Sequence, residues 1–558
     1  MVELTTLKEK VLLMKVIRVF QSIPFFLLFL LLFDLSDLTA QEPSFPYSVR
    51  LEQVSVPGLP GFHSFAYGQH DGKWISVGGR TDGIHARQPF ASFPPNHNND
   101  HIFVIDPSTG EFFAENLNPL SSELREHLQS TNMNFQQIAD TLYIIGGYAF
   151  SETAGDHITF PKLTTIVVSE TMNDVISGSL NEKSFGHLYD ERFAVTGGQL
   201  GELDDKLILV GGHRFDGRYN PRDMPTFRQE YTHAIQSFRI DHALSDPEIS
   251  FYSKIVDTDH LRRRDYNLVP YIFRDGEPGY MISTGVFQRQ ADLPFLYNVE
   301  IGKDGFYNPV ADFEQLLSHY HSPKLSFYSD AADELHMLFF GGLAQFYFQG
   351  DQLIQDDRVP FVSTISRVTR FSDGSFAEFA LPEEMPDLKG TSAEFIPNPE
   401  LPKNETGVIL MDVIDTDELL AGYIVGGIDT PIINPFATNQ TGTTSASYTI
   451  YEVWLDRAKS DEIPVEQTPD GAVLYPNYPN PFNEATTIHF SIEDDSMVNL
   501  EIFSVDGRKV ATLLSSVVEG GEHKLQFRAG ELSSGLYIVR LTVNGATRSR
   551  TIILSRSG

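Results

Sequence analysis

The 558-residue chain is predicted to be all-β: a ring of six four-stranded units, a six-bladed propeller, followed by a small C-terminal β-sandwich. Three observations carry this. A short apolar run ends six times at a pair of small residues. Each such run follows another extended run and a turn, and precedes a polar loop and a third run. Beyond residue 470 the pattern changes to closely spaced alternating strands. A strand that repeats with a glycine pair at its end marks a radial β architecture, with four antiparallel strands per blade.

The six apolar runs span 74–79, 143–147, 207–212, 281–285, 338–342 and 423–427. Five end in Gly-Gly, and the fourth ends in Thr284-Gly285. Turns precede them at Asp71-Gly72, Ala139-Asp140, Asp204-Asp205, Asp275-Gly276, Asp333-Glu334 and Asp415-Thr416-Asp417. Asp and Gly tolerate the tight backbone that reverses a hairpin. Leading into the first three turns are extended runs at 65–67, 134–138 and 193–195, expected as strands. Third strands are expected at 102–105, 165–168, 234–238, 295–299, 364–368 and 451–454. A fourth follows in several units, as at 111–113 after Asp106-Pro107-Ser108-Thr109-Gly110. The sixth unit has no fourth run before the linker. Tyr47–Val54 is expected to supply it and so close the ring, which hides edges that would otherwise invite aggregation.

The glycine pairs, the apolar strand before each and the Asp-x-x-Thr-Gly-like turn together resemble the kelch family. The likeness covers residues 46–457, and its six units imply a six-bladed kelch-like propeller. The chain departs from the family in two ways. It has only two tryptophans, Trp74 and Trp454, so Phe and Tyr take the place of the Trp usual late in a kelch repeat. Its units are spaced by 68, 65, 73, 57 and 85 residues, longer than a compact unit of roughly 50. The excess is expected between the glycine pair and the third strand.

Residues 1–40 read as a secretory signal peptide. Lys8, Lys10, Lys15 and Arg18 precede an apolar run at 23–33, and Ala40 ends the region. That run is short for a membrane-spanning helix, which needs about 20 residues. Residues 458–470 are polar, contain Pro464 and Pro469, and read as an exposed linker. Residues 471–558 hold about seven short alternating strands and read as the sandwich. This segment resembles the C-terminal sorting domain of type IX secretion cargo. The likeness rests on Pro479-Asn480-Pro481-Phe482-Asn483, the Asp506-Gly507-Arg508 turn, Leu532-Ser533-Ser534-Gly535-Leu536-Tyr537 and the basic-then-aliphatic ending Arg550-Thr551-Ile552-Ile553. It implies that the type IX machinery is a partner, that the domain is removed, and that the cargo is released or attached at the outer surface.

The chain has no cysteine, so disulfides contribute nothing. A propeller of this size buries enough core without them. The formal charge is −34. Residues 1–40 carry four basic and four acidic residues, and 471–558 carry eight and nine, which leaves −33 on 41–470. That charge argues against nucleic acid as a partner, because phosphate binding needs clustered Lys and Arg. No catalytic signature is present: no Walker loop, H-E-x-x-H, G-x-S-x-G or EF-hand series. The copper oxidases built on kelch propellers need a Tyr-Cys crosslink, which the absence of Cys rules out.

What remains is the chemistry of the loops after the glycine pairs. Blades 1–3 place Arg80, Tyr148 and His213 directly after the pair, and blades 4–6 place Val286, Leu343 and Ile428. The candidate ligand site is Arg80, Asp82, His85, Tyr148, His213, Arg214, Asp216 and Arg218, with Arg222 and Asp223 further along. Arg offers a bidentate fork and an aromatic ring a stacking face, which suits a carboxylated or polyhydroxylated ligand. His85, His97 and His101 are irregularly spaced, and neither a metal nor a cofactor is expected. Arg262-Arg263-Arg264 is expected to be a solvated edge or ion-pair cluster. The leading reading is an exported recognition protein that binds an extracellular glycan or protein, and not an enzyme. One alternative is an enzyme acting on an acidic sugar, similar to the kelch-type sialic acid mutarotases, with Arg80, Arg214 and Asp216 in the channel. A structural adhesin component is the other.

Overall fold

The glycine pairs bend the chain where blade meets blade. The computed structural model describes residues 45–556 apart from 221–225, 245, 290, 351, 458–462, 465–471, 476, 505–507, 531 and 545. The expected signal peptide, most of the expected linker, Arg222, Asp223 and the Asp506-Gly507 turn lie outside the described residues.

Six sheets each contain a four-stranded antiparallel blade. Blade 1 is Ala66–His70, Lys73–Val77, His101–Asp106 and Glu111–Asn116. Blade 2 is Asn134–Ile138, Thr141–Ile145, Pro161–Val167 and Phe185–Ala194. Blade 3 is Gln199–Leu203, Lys206–Val210, Ala234–Asp241 and Glu248–Val256. Blade 4 is Asn267–Ile272, Pro278–Ser283, Asn298–Ile301 and Tyr307–Val310. Blade 5 is Lys324–Ser329, Glu334–Leu343, Phe361–Arg370 and Phe376–Glu384. Blade 6 is Ala393–Pro397, Glu418–Gly426, Ile450–Arg457 and, from the start of the propeller, Tyr47–Val54. The closing strand pairs in register from Tyr47↔Arg457 to Val54↔Ile450, as expected from the missing fourth run.

The ring is closed by the backbone. One to three residues before the innermost strand of each blade, one N–H donates to the matching carbonyl of the preceding blade. The bonds run Asn132 to Ser64 (3.1 Å), Gly197 to Asn132 (3.2 Å), Asp265 to Gly197 (2.7 Å), His321 to Asp265 (2.9 Å), Ser392 to His321 (3.0 Å) and Ser64 to Ser392 (3.0 Å). A second circle uses the glycine pairs. The N–H groups of Gly79, Gly147, Gly212, Gly285, Gly342 and Gly427 donate to the carbonyls of Ser130, Val195, Arg263, His319, Lys389 and Phe62, each in the next blade. Both members of each pair have positive φ, as at Gly78 (69°) and Gly79 (87°). A Cβ on Gly79 would collide with the His63 carbonyl, and one on Gly146 with that of Val195. Only glycine meets both demands at low cost. Thr284 is the exception at φ 58°, where its hydroxyl donates to the His319 carbonyl at 2.9 Å.

Hydrophobic side chains from adjacent blades interleave to form the core. Residues of blades 5 and 6 share one cluster with the closing strand, including Phe45, Tyr47, Val49, Phe340, Ile365 and Val453. Blades 1 and 2 share another, sealed by the helix Val168–Ser177, whose Val168, Met172 and Val175 face inward.

Four sequence expectations are corrected. Phe193 and Ala194 end the outer strand of blade 2, and blade 3 begins at Gln199. The third strand of blade 4 starts at Asn298, because Phe295 N–H is taken by the Gly285 carbonyl. Part of the extra length of blade 2 is the helix Val168–Ser177, which lies after the third strand rather than before it. In the linker, Ile463–Pro464 adds a short strand to blade 5 by pairing with Phe379 and Ala380. Elsewhere the excess does follow the glycine pairs, as hairpins: Tyr148–Ser151 with Asp156–Thr159, His213–Gly217 with Phe227–Tyr231, and Phe346–Gln349 with Gln352–Gln355.

The C-terminal β-sandwich has its own core of Leu474, Phe482, Ile488, Phe490, Val498, Leu500, Val539 and Ile552, among others. One sheet is Val473–Leu474, Ala485–Ile492 and Gly521–Arg528. The other joins Ala546–Leu554, Gly535–Val543, Ser496–Ser504 and Lys509–Val518, and is continued by the blade 5 hairpin.

Candidate functional site

The loops that leave the glycine pairs of blades 1, 2, 3 and 6 meet in an aromatic cluster. Phe93 lies edge-on to Tyr148 (5.0 Å between centroids) and stacks on His85 (4.6 Å). His85 in turn meets Tyr219 (5.0 Å) and Phe436 (5.2 Å). Tyr148 packs on Phe215, which stacks on Phe227 (4.7 Å). Tyr219 of blade 3 thus reaches the loops of blades 1 and 6 across the ring. On the other side, Leu343, Phe361 and Ile428 pack with Ile84, Tyr320, Val359 and Leu388. This second cluster includes Ile84 of the blade 1 loop and the rings of Phe361 and Tyr320, and Phe436 of blade 6 belongs to the first, so the two clusters do not divide by blade.

The predicted site residues are placed in two groups. Arg80, Asp82, His85, Tyr148 and Arg218 surround the aromatic cluster, with His213 beside it. Arg80 is 2% exposed. It donates to both oxygens of Asp82 (2.7 and 2.6 Å), to Asn98 Oδ1 (3.0 Å) and to the Pro94 carbonyl (3.3 Å). Tyr148 is buried and donates its hydroxyl to the Gly217 carbonyl at 2.6 Å. Burial lowers His85 to about 4, so its ring is neutral at ordinary pH. Arg218 reaches His157 Nδ1 and the Phe90 carbonyl, each at 3.3 Å. His213 is buried. Its Nδ1 accepts from Gln229 at 2.7 Å, and burial together with Arg264 and Arg262 holds its pKa well below the usual imidazole range.

Arg214 and Asp216 stand apart. They alternate with His213 and Phe215 along the hairpin and so leave its opposite side. Arg214 pairs with Asp216 (2.6 Å) and with Glu191 of blade 2 (2.7 Å). His101 is likewise drawn away from His85, to Asp100 at 2.7 Å. Among the described residues no group of three or more His, Asp or Glu is placed to hold a metal.

The arginine run is corrected. Arg263 is fully buried, between the rings of Phe295 (4.3 Å) and Tyr297 (4.4 Å). It donates to the carbonyls of His260 (3.0 Å), Thr284 (2.6 Å) and Tyr297 (2.7 Å). Three oriented carbonyls repay part of the cost of burying the charge. Arg263→Ala would leave all three without that partner and open a void. Leaving a buried carbonyl without its partner costs about 1–3 kcal/mol, offset in part by removal of the buried charge, so a net loss of that order is expected, read as a lower midpoint in chemical unfolding. Arg264 pairs with Asp265 and donates to the Tyr231 hydroxyl at 3.2 Å. Arg262 lies 3.9 Å above the Tyr231 ring.

Sequence reading missed an open cleft beside these arginines. It measures about 530 Å³ and is lined by Gln229, Glu230, Tyr231, His233, Arg262 and Arg289. A neighbouring hollow of about 410 Å³ shares Arg289 and is walled by Phe295, Tyr297 and Glu314. The only sequence signal was the arginine run itself.

Comparison with known proteins identifies the C-terminal part. Residues 477–555 match the secretion system C-terminal sorting domain. The chain is therefore delivered by type IX secretion to the outer cell surface or released, and its sorting domain engages that machinery. No curated protein matches the chain. Among solved structures, that of YjhT is 12% identical, covers 68% of this chain and 95% of its own, and gives a TM-score of 0.39. An exo-1,5-alpha-L-arabinanase from a bovine ruminal metagenomic library is 8% identical, over 73% of this chain and 97% of its own, at 0.23. PorZ, a bacterial surface component of the type IX secretion system of Porphyromonas gingivalis, is 8% identical, over 91% of this chain and 100% of its own, at 0.13. Scores this low carry no argument about function.

Proposed function

We propose that this is a recognition protein at the cell surface or released from it. Its kelch-like propeller, residues 46–457, binds an acidic saccharide or acidic protein segment on the face where the glycine pairs end. Residues 471–558 serve secretion. The observation that carries this reading is the cleft of about 530 Å³ with Arg262 and Arg289 in its wall. Tyr231 under Arg262 fixes one guanidinium, and a fixed fork suits a carboxylate or sulfate. The propeller's net negative charge does not forbid this, since exposed charges beyond about 8 Å are screened at physiological salt. None of the predicted residues lines the cleft, but several are linked to its walls. His213 holds Gln229, and Arg214, Asp216 and Arg218 are carried by the same hairpin as Tyr231. Arg80, Asp82, His85 and Tyr148 hold the loops over which a long ligand would extend.

A glycan array followed by calorimetry tests the reading. Arg262→Ala and Arg289→Ala are each expected to weaken the ligand found by about ten- to a hundredfold, the worth of a hydrogen bond to a charged group. Arg214→Ala and Arg218→Ala are expected to do less. Unchanged affinity in both of the first two variants refutes the site. Turnover of the ligand would instead place the protein with enzymes acting on acidic sugars.

A further inference from the structure

The blade 5 hairpin belongs to both folded parts of the chain. Phe346–Gln349 and Gln352–Gln355 leave the propeller after Gly341-Gly342 and join the sheet of the sorting domain. Gln355 is the register partner of Arg550, in parallel, so the hairpin meets the edge of Ala546–Leu554 at its middle, while Phe482 of the sorting domain bridges the same edge at Leu554. Arginines of the sorting domain then meet polar and acidic side chains of the propeller. Arg550 pairs with Asp357. Arg548 Nη2 lies 3.6 Å from Glu314, and Arg540 donates to Gln352 Oε1 at 2.9 Å. The Arg548 and Arg550 side chains are about nine-tenths buried, at 11% and 10% exposure. Arg550 is also anchored within its own domain by donating to the Leu474 carbonyl at 2.6 Å. The complementarity is local: the sorting domain as a whole carries −1 against −33 on 41–470, and three of its arginines are turned to the contact.

We propose that this hairpin, with Asp357 and Glu314, is a docking edge for the Arg548-Ser549-Arg550 strand, and that it holds the sorting domain on the propeller after the linker is cut. While the linker is intact the contact is intramolecular and needs little intrinsic affinity. Once it is cut, non-covalent contacts hold the two parts, among them the strand pairing, the buried arginine pairs and the Arg540–Gln352 bond. Scission and separation are then distinct events. Departure of the sorting domain uncovers a strand edge flanked by two carboxylates, one of them, Glu314, in the wall of the hollow beside Arg289.

The test uses the full chain with a protease site inserted between residues 465 and 471. After cutting, the two parts are expected to co-elute on size exclusion at low salt. Asp357→Asn combined with Glu314→Gln is expected to weaken their association by about tenfold or more. Parts that separate at once at low salt overturn the proposal, as does association that this double variant leaves unchanged. A second readout does not depend on affinity. The chain has no cysteine, so Gln355→Cys together with Arg550→Cys introduces a single pair. After oxidation and cutting, the parts are expected to migrate as one band on a non-reducing gel. Two bands would show that the strand is not seated on the hairpin.

Discussion

Deletion of residues 475–558 is expected to abolish surface delivery and leave the propeller in the periplasm. The deleted segment holds the match to the secretion system C-terminal sorting domain. It also folds around a core of its own, so its loss removes the signal without opening the cores between the blades. The blade 5 hairpin loses a neighbour, but its Phe346 packs with Leu316, Leu317 and Ala380 of the propeller. Immunoblots of periplasmic, surface and medium fractions measure the result. Surface delivery at the normal level would show that the segment is not the sorting signal. In the intact protein, mass spectrometry of the exported form is expected to find a new C-terminus between residues 459 and 474.

Removal of residues 45–54 is expected to cost the propeller its cooperative fold or lower its melting temperature steeply. This strand comes from the start of the ring and completes its last blade. Eight register pairs with Ile450–Arg457 would be lost, leaving an open edge on blade 6. Phe45 and Val49, at 6% and 3% exposure, would leave the shared core of blades 5 and 6. At roughly 1.5–3 kcal/mol for each fully buried apolar side chain, these two alone contribute about 3–6 kcal/mol. Arg50 would also vacate its pair with Asp456 at 2.8 Å. Thermal unfolding followed by circular dichroism decides the matter. A melting temperature within a few degrees of the full chain would mean that the ring does not depend on this closure.

The blades were legible because their punctuation has a local cause. Two successive residues at positive φ, against a neighbouring carbonyl, leave glycine as the residue of least cost, and glycine is visible in sequence. The turns were legible for the same reason: Asp204 and Asp205 both sit at φ 56°. Phe193 misled because an apolar run before a turn signal reads alike whether it opens a blade or ends the previous one. The circle of hydrogen bonds through Ser64, Asn132, Gly197, Asp265, His321 and Ser392 left no trace, since backbone groups make it and the side chains share no chemistry.

The candidate site was legible only as a composition. Arg80 and Tyr148 belong to the loops over the ring, but their polar atoms are used by Asp82, Asn98 and Gly217. Arg214 was read with them, and the alternation of a strand turned it to Glu191 instead. Arg263 looked like a surface charge and is a fully buried one, held by three carbonyls from two separate loops. The sequence by itself determined the six repeats, the need for a closing strand and the destination of the chain, because each rests on residues close together in the chain. Only the tertiary structure decided which polar groups are satisfied, where a cleft stays open and how the sorting domain is seated. Some partners are close, as Asp82 is to Arg80, but many lie tens to hundreds of residues away, and local pattern carries no record of those.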